Sequence, residues 1–181
     1  MDIAAEAVVA ILRFIGENPD REGLKDTPKR VSRAWVEMTA GYSMNVAEMF
    51  MLFEDVKVDE MVVLKDLEFV SCCEHHMMPF QGVAHIGYIP NGKVIGISKL
   101  ARVLEVYTRR LQIQERICEQ VTAALDTYLQ PLGSACVLEA THCCMSCRGV
   151  RKQNAVMITS SLTGAFYDKP EARHEFLNFI R

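Results

Sequence analysis

The stretch SCCEHHMMPF, residues 71–80, holds two thiols, one carboxylate and two imidazoles in five consecutive positions. Cys73 and His76 have the Cys-x-x-His spacing with which one short turn presents a thiolate and an imidazole to the same metal ion. These two ligands are too few for zinc, which is usually four-coordinate in proteins. The stretch therefore predicts that the fold brings further ligands to residues 71–80.

The second group of candidate ligands is the stretch THCCMSC, residues 141–147. A largely apolar segment with β-branched residues precedes each group, at 61–70 and at 135–141. Such segments are typical of β-strands. We therefore expect two strands that bring the two groups of ligands together.

The rest of the chain shows the spacing of further helices and strands. Helices are predicted at 3–15, 28–40, 98–107, 113–129 and 170–181. Strands are predicted at 61–70, 80–89, 135–141 and 155–162. This order favours an α+β fold in which an antiparallel four-stranded sheet carries two helices on one face. We divide the chain into an N-terminal helical region, residues 1–55, and a main domain, residues 56–181.

The composition argues against several classes of protein. The chain has 181 residues, 50% of them hydrophobic, which is enough for one main domain. Residues 1–16 carry charges at intervals and match neither a secretory signal nor a membrane span, so we expect a cytoplasmic protein without a membrane partner. A net charge of −3 argues against general nucleic-acid binding. The cations are nevertheless clustered, which suits a small anionic ligand.

The seven cysteines are an odd number, and several lie beside histidines, so we interpret them as reduced thiols and metal ligands. Two metal sites fit the spacing. The first is a closed structural zinc site made of Cys73, His76, Cys144 and Cys147. The second uses only one cysteine of residues 141–147 and leaves a position open for water, beside the free imidazoles of His75 and His142. The residues by themselves do not decide between these two sites.

Four stretches of the chain resemble the motifs of one enzyme family. They are CEHHMMPF at 73–80, VIGISKLAR at 94–102, QIQER at 112–116 and HCCMSCRGVRKQN at 142–154. In this order and spacing they look like GTP cyclohydrolase I, and further likeness near both ends extends the match over almost the whole chain.

The resemblance implies a tunnelling fold, in which the sheets of neighbouring subunits join into a barrel, and a homodecamer with active sites between subunits. The implied activity is zinc-dependent hydrolysis of the imidazole ring of GTP and rearrangement to 7,8-dihydroneopterin triphosphate, with release of formate. This reaction is the first step of pterin, folate or deazaguanine biosynthesis.

The resemblance also assigns roles to individual residues. It implies zinc ligands at Cys73, His76 and Cys144, which leaves Cys147 unused. It implies catalytic roles for His75, His142 and Ser98. The implied substrate-binding residues are Glu115 and Gln114 for guanine, and Lys99, Arg102, Arg148, Arg30 and Arg33 for the ribose and triphosphate.

Two other functions are alternatives to this assignment. One is a non-enzymatic interaction protein held together by the closed Cys3His zinc site. The other is a nitrile reductase of the same fold, although that family lacks the Cys-Glu-His-His pattern. The extra thiols of Cys72, Cys143 and Cys147 further predict sensitivity to oxidation and to chelators.

Overall fold

The computed structural model describes residues 2–55 and 57–181. The chain forms two compact units, one that ends at Ala40 and one that spans Gly41–Arg181. The division between residues 55 and 56 expected from the sequence stays a prediction.

The first unit contains the two predicted N-terminal helices, α1 at Ile3–Phe14 and α2 at Thr27–Met38. Asp2 caps α1, because its carboxylate accepts a hydrogen bond of 2.7 Å from the backbone N–H of Ala5. The same carboxylate accepts a hydrogen bond of 3.0 Å from the hydroxyl of Ser32 in α2. Asp2 therefore links the two helices.

Helical spacing within α2 predicts a buried apolar stripe that includes Ala34 and Met38, but this prediction was partly wrong, since both side chains are exposed. Pro28 and Ser32 are the buried residues of α2 instead. The hydroxyl of Ser32 bonds to Asp2, so the serine side of α2 faces the start of α1.

The second unit is built on a five-stranded sheet in the order β5-β2-β3-β6-β7. The strands of this unit are β1 Leu52–Phe53, β2 Val62–Cys73, β3 Met78–Ile89, β4 Val94–Ile95, β5 Leu111–Gln112, β6 Gly133–His142 and β7 Met157–Leu162. The four long strands pair antiparallel, as predicted. The short strand β5 adds a parallel pairing to the end of β2, and β1 pairs with β4 in a separate two-stranded sheet.

Two long helices cover one face of the sheet, as expected. They are α3, Ile97–Thr108, and α4, Gln114–Tyr128. The core between helices and sheet contains side chains that are fully buried, among them Phe80, Ile86, Val103, Ile117, Val121 and Leu138. The N-cap position of α3 is Gly96, so Ser98 lies inside the first turn of the helix and does not cap it.

The short helices of the second unit are α5, Cys143–Ser146, and α6, Ala165–Asp168, followed by the C-terminal helix α7, Pro170–Ile180. Phe166 and Phe176 from α6 and α7 pack with Ala135 and Val137 in a second, smaller core. A Cβ atom on Gly87 would lie 2.8 Å from the ring of Phe176, so glycine allows the ring to lie directly on β3.

The position of His85 inside a predicted strand, between Ala84 and Ile86, indicates a packed histidine, and His85 is indeed 2% exposed within β3. Its Nδ1 atom accepts a hydrogen bond of 3.2 Å from the backbone N–H of Asp66, at an irregularity in β2. None of the helices in residues 2–55 and 57–181 has the length and apolar character needed to span a membrane.

Candidate metal centre and active site

Cys73, His76 and Cys144 form a candidate metal centre, because their ligand atoms all lie within 4.8 Å of one another. Cys73 is the last residue of β2, and His76 belongs to the turn that follows. Met77 closes this turn by donating a backbone hydrogen bond of 2.8 Å to the carbonyl oxygen of Cys73. The turn thus presents Cys73 and His76 together, as the Cys-x-x-His spacing predicted.

The third ligand arrives through the pairing of β3 with β6. Phe80 and His142 are partners in this pairing, and Cys144 follows in the one-turn helix α5. Since β3 also pairs with β2, the ends of β2 and β6 lie on either side of the same strand. The sheet therefore carries the two groups of ligands to one place.

Cys147 is not part of the cluster found in the described residues. Its thiol is exposed and lies 3.8 Å from the sulfur of Met78. The closed Cys3His site, which the spacing allowed, is therefore not assembled. The structure brings together three ligands, which is the arrangement of an open site.

The donor set suits zinc. Two thiol sulfurs and one imidazole are soft to borderline ligands of the kind that zinc prefers. Burial and the neighbouring Cys73 sulfur raise the pKa of the Cys144 thiol, whereas the positive charge of Arg148 opposes this rise. A divalent cation would relieve the repulsion between two thiolates held this close, so these residues fit a zinc ion.

His75 and His142 flank the candidate ligands. His75 is exposed, and its Nδ1 atom lies 3.8 Å from the sulfur of Cys73. His142 is half-buried, and its ring stacks on Phe80 with 4.5 Å between ring centroids and 5° between ring planes. Burial lowers the pKa of His142, and the negative charge of Glu115 opposes this effect.

Gln114 and Glu115 begin α4 and behave differently. Gln114 is 1% exposed, and its Oε1 atom lies 2.9 Å from Nε2 of His142. Glu115 is exposed and remains available to a ligand. Two residues predicted to bind guanine thus occupy different environments.

Sequence reasoning missed two neighbours of the site. Arg116 forms an ion pair with Glu74, with 2.6 Å between Nη1 and Oε2. Phe80 supplies the ring against which His142 stacks. Both residues stand inside the stretches that resemble the family motifs, at 112–116 and 73–80, so their presence there was the available signal.

Ser98, Lys99 and Arg102 lie on α3, with Ser98 and Lys99 in its first turn. The end of α3 is close to the ligands, because Leu111, three residues after Thr108, pairs with Cys72. Its 12 residues span about 18 Å at 1.5 Å per residue. The start of α3 is therefore about 18 Å from the end of the helix that leads to the ligands.

The remaining predicted cations are all exposed. Arg148 follows α5 and acts electrostatically on Cys144, so it lies beside the candidate ligands. Arg30 and Arg33 belong to α2 of the first unit, where Arg30 makes an exposed ion pair of 3.5 Å with Asp26.

The whole chain is similar to known proteins. A family model described as GTP cyclohydrolase I matches residues 4–181. A relative from Wolinella succinogenes named GTP cyclohydrolase 1 is 52% identical over 177 residues, which cover 97% of this chain and 95% of the relative. A relative of the same name from Dehalococcoides mccartyi is 49% identical over 178 residues, covering 97% of this chain and 94% of the relative.

The fold is also similar to that of a solved structure, the apo form of an archaeosine synthase QueF-Like. The alignment has a TM-score of 0.50 and 16% sequence identity, and it covers 60% of this chain and 97% of that chain. At this identity the likeness concerns the fold alone, and it supports the tunnelling fold expected from the sequence. The match to the family model and the identity to the curated relatives extend over nearly every residue, and the chain belongs to the GTP cyclohydrolase I family.

Proposed function

We propose that this protein hydrolyses the imidazole ring of GTP and rearranges the product to 7,8-dihydroneopterin triphosphate, with release of formate. The observation that carries the proposal is the cluster of Cys73, His76 and Cys144, with two further imidazoles beside it, in a chain of this family. A structural zinc site needs a fourth protein ligand and has no use for free histidines. A hydrolytic site needs both the open position and groups that move protons.

The resident cofactor that we propose is zinc, held by the two thiolates and the imidazole of the cluster. Zinc, when bound, lowers the pKa of water to about 7 and so makes a nucleophile available at neutral pH. Arg148 contributes a positive charge beside Cys144, which favours the thiolate form that a metal requires.

We assign the proton transfers to His75 and His142. Imidazole titrates near neutral pH, so it can accept a proton from water and donate one to a leaving nitrogen. His142 sits in a half-buried place that disfavours its charged form, and it therefore starts as a neutral base. We assign it to proton transfer between the attacking water and the ring nitrogen that leaves C8 of guanine.

Substrate binding is assigned to charged residues that the family resemblance marks. The exposed carboxylate of Glu115 can accept hydrogen bonds from the ring N–H and exocyclic amine of guanine. The triphosphate is assigned to the cations Lys99, Arg102, Arg148, Arg30 and Arg33. The guanidinium of each arginine can bind two phosphate oxygens at once, and the ammonium of the lysine adds a positive charge. Ser98 is assigned to the ribose, where ring opening precedes the rearrangement.

We also propose that the active site is shared between subunits of a homodecamer. Support comes from α3, whose start carries Ser98 and Lys99 about 18 Å from the end that approaches the metal ligands. The two outer strands of the four-stranded antiparallel part, β2 and β7, offer edges that can continue a sheet into a neighbour. Exposed apolar residues on these strands, Val70 at 55% and Ile158 at 63%, suit burial in an assembly.

The reduced thiols of the site suit a reducing compartment, so we propose a cytoplasmic location. The function is tested by incubating reduced, zinc-loaded protein with GTP and measuring formate together with pterin fluorescence after oxidation. Both products are expected. Zinc-loaded protein of decameric mass that yields neither product would overturn the proposal and support the non-enzymatic alternative.

Formate without a pterin would show that hydrolysis proceeds and that the rearrangement fails. The fault would then lie in the ribose step that is assigned to Ser98. The decamer is tested separately by light scattering on the eluate of a size-exclusion column. A stable monomer with full activity would contradict the shared site.

A further inference from the structure

The orientation of the Gln114 side chain is fixed by the backbone of two strands. Nε2 of Gln114 donates hydrogen bonds to the carbonyl oxygens of Leu138, at 3.0 Å, and Met157, at 2.9 Å. Both hydrogens of the amide are used in this way. A carbonyl oxygen can only accept, so the flipped amide would place Oε1 against two acceptors. The end of Gln114 that remains for the active site is therefore Oε1.

Oε1 of Gln114 lies 2.9 Å from Nε2 of His142. Because an amide oxygen only accepts hydrogen bonds, Nε2 of His142 has to carry the hydrogen. In a neutral imidazole the other nitrogen, Nδ1, is then unprotonated and free to accept a proton. The contact thus determines the tautomer of His142.

Phe80 fixes the plane of the same ring. Its side chain is fully buried and stacks almost parallel to His142, with 5° between the planes. A half-turn of the imidazole about its bond to Cβ would break the hydrogen bond to Gln114, and a smaller rotation would also break the stacking on Phe80. One amide and one aromatic ring therefore hold both the tautomer and the orientation of His142.

We propose that Gln114 is a positioning residue that holds His142 in the Nε2–H tautomer, so that Nδ1 is the nitrogen that exchanges protons during the reaction. This inference rests on the proposed function. Nδ1 takes one proton from the water that adds to C8 and returns it to the ring nitrogen as the bond from C8 to that nitrogen breaks. The imidazole ends the step neutral, as it began.

The inference changes the role that the family resemblance implied for Gln114. A residue that binds guanine through its amide needs a free hydrogen to donate or a free oxygen to accept, and the oxygen of Gln114 is already paired with Nε2 of His142. Both amide hydrogens of Gln114 are bound to backbone carbonyls, and the side chain is 1% exposed. Gln114 therefore acts through His142, whereas Glu115 remains the exposed neighbour available to guanine.

The tautomer is tested directly by solid-state ¹⁵N NMR on protein with histidine labelled only at Nδ1. The His142 signal is assigned by its loss in His142→Ala, and spectra are recorded near pH 8, above the ordinary histidine pKa of about 6.5. The expected result is an unprotonated Nδ1 in the wild-type protein. A protonated Nδ1 would overturn the proposal without any need for a Gln114 variant.

Variants of Gln114 distinguish a role in positioning His142 from a role in stability alone. Gln114→Met removes the acceptor, so we expect protonated Nδ1 to appear and kcat to fall about 10²-fold with KM changed less than about threefold. Gln114→Glu, as a buried carboxylic acid, can donate to one carbonyl and still accept from Nε2. We expect Gln114→Glu to keep the wild-type Nδ1 signal and to recover most of kcat.

The matched control is Gln112→Met. Gln112 is also buried, at 2% exposure, and its Nε2 donates to Tyr107 and Gln120, not to His142. This control should leave the Nδ1 signal unchanged. A raised KM with normal kcat and an unchanged signal in Gln114→Met would mean that Gln114 binds guanine directly, which would refute the positioning role.

The NMR result is independent of turnover. A wild-type preparation that shows the expected signal but releases no formate would refute the proposed function while leaving the tautomer assignment standing. An active enzyme with a protonated Nδ1 would refute the positioning role while leaving the function standing.

Discussion

Arg116 binds the carboxylate of Glu74 with two hydrogen bonds, 2.6 Å from Nη1 to Oε2 and 3.2 Å from Nη2 to Oε1. Glu74 stands between Cys73 and His75, and its backbone N–H also donates a bond of 3.0 Å to the carbonyl oxygen of Gln112. The guanidinium of Arg116 lowers the pKa of the Glu74 carboxyl. The pair ties the turn that carries two candidate ligands to the start of α4.

This ion pair should set how firmly the site holds its metal. Glu74→Arg and Arg116→Glu each place like charges together, and we expect each to weaken zinc binding about tenfold, the usual effect of losing an outer partner of a metal site. The double swap should restore part of the affinity. Chelator competition gives the dissociation constants.

The control for this prediction is Glu54→Gln, which removes the ion pair of 3.0 Å between Glu54 and Lys93 elsewhere on the surface. It should leave zinc affinity unchanged. Equal affinity in the wild type and in both single variants would show that the pair has no positioning effect.

The identity of the third metal ligand distinguishes the open site from the closed one. Cys144→Ser should lose most of its zinc, because the hydroxyl is a poor substitute for a thiolate. Cys147→Ser should keep one zinc per chain, since Cys147 lies outside the ligand cluster. Metal analysis after desalting measures both variants. Loss of zinc from Cys147→Ser would favour the structural alternative.

The two free histidines should be needed for chemistry and not for metal binding. We expect His75→Ala and His142→Ala to be folded and zinc-loaded, with kcat lowered by about 10²- to 10⁴-fold, the range of general acid–base catalysis. Formate release and zinc content are measured on the same samples. His174→Ala, which changes an exposed histidine of α7, should retain normal activity.

Chelation should expose the protein to oxidation. The sulfurs of Cys73 and Cys144 lie within 4.8 Å of each other, and removal of zinc frees both. After EDTA treatment and addition of diamide, which accepts the two electrons of a thiol pair, we expect loss of activity that dithiothreitol and zinc restore. Peptide mapping should find disulfides among the cysteines near the site.

Two other cysteines serve as an internal reference in that experiment. Cys118 and Cys136 are fully buried in the core, so they should remain reduced in the folded protein. Zinc-loaded protein should resist the same treatment. Equal inactivation of the zinc-loaded and chelated forms would contradict the protective role of the metal.

Gly87 should be important for stability because of its contact with Phe176. A Cβ at residue 87 would lie 2.8 Å from the ring, so Gly87→Ala forces the ring outward at a cost of about 1–3 kcal/mol. This corresponds to a thermal midpoint lower by about 2–12 °C. Gly96→Ala is the control, because the nearest neighbour of its Cβ is 3.6 Å away.

The elements of the second unit were predictable because their periodicity is strong. Apolar alternation and helical spacing gave the four long strands and both covering helices to within a few residues. Strand β5 was missed because Leu111–Gln112 is too short to show a pattern and pairs only with the end of β2. The exposure of Ala34 also escaped prediction, because the side of α2 that is buried carries Pro28 and Ser32, and the bond from Ser32 to Asp2 cannot be read from apolar spacing.

The candidate ligands could be named from the sequence, whereas the geometry that surrounds them could not. Spacing identified Cys73 and His76, but only the pairing of β3 with β6 shows that Cys144 joins them and Cys147 does not. Gln114 illustrates the limit. Its motif indicates that it is functional. The sequence does not predict its two hydrogen bonds to backbone carbonyls, because these depend on the register of β6 and β7.

The candidate ligands come together only after β2, β3 and β6 have paired, so an unfolded chain offers no comparable site. Zinc bound as we propose would therefore favour the native state by mass action, by about 2.7 kcal/mol when free zinc exceeds the dissociation constant a hundredfold. Zinc starvation would then act on this protein twice. It would stop turnover, and it would raise the unfolded fraction that proteases remove, so that the abundance of the protein would follow the metal supply of the cell.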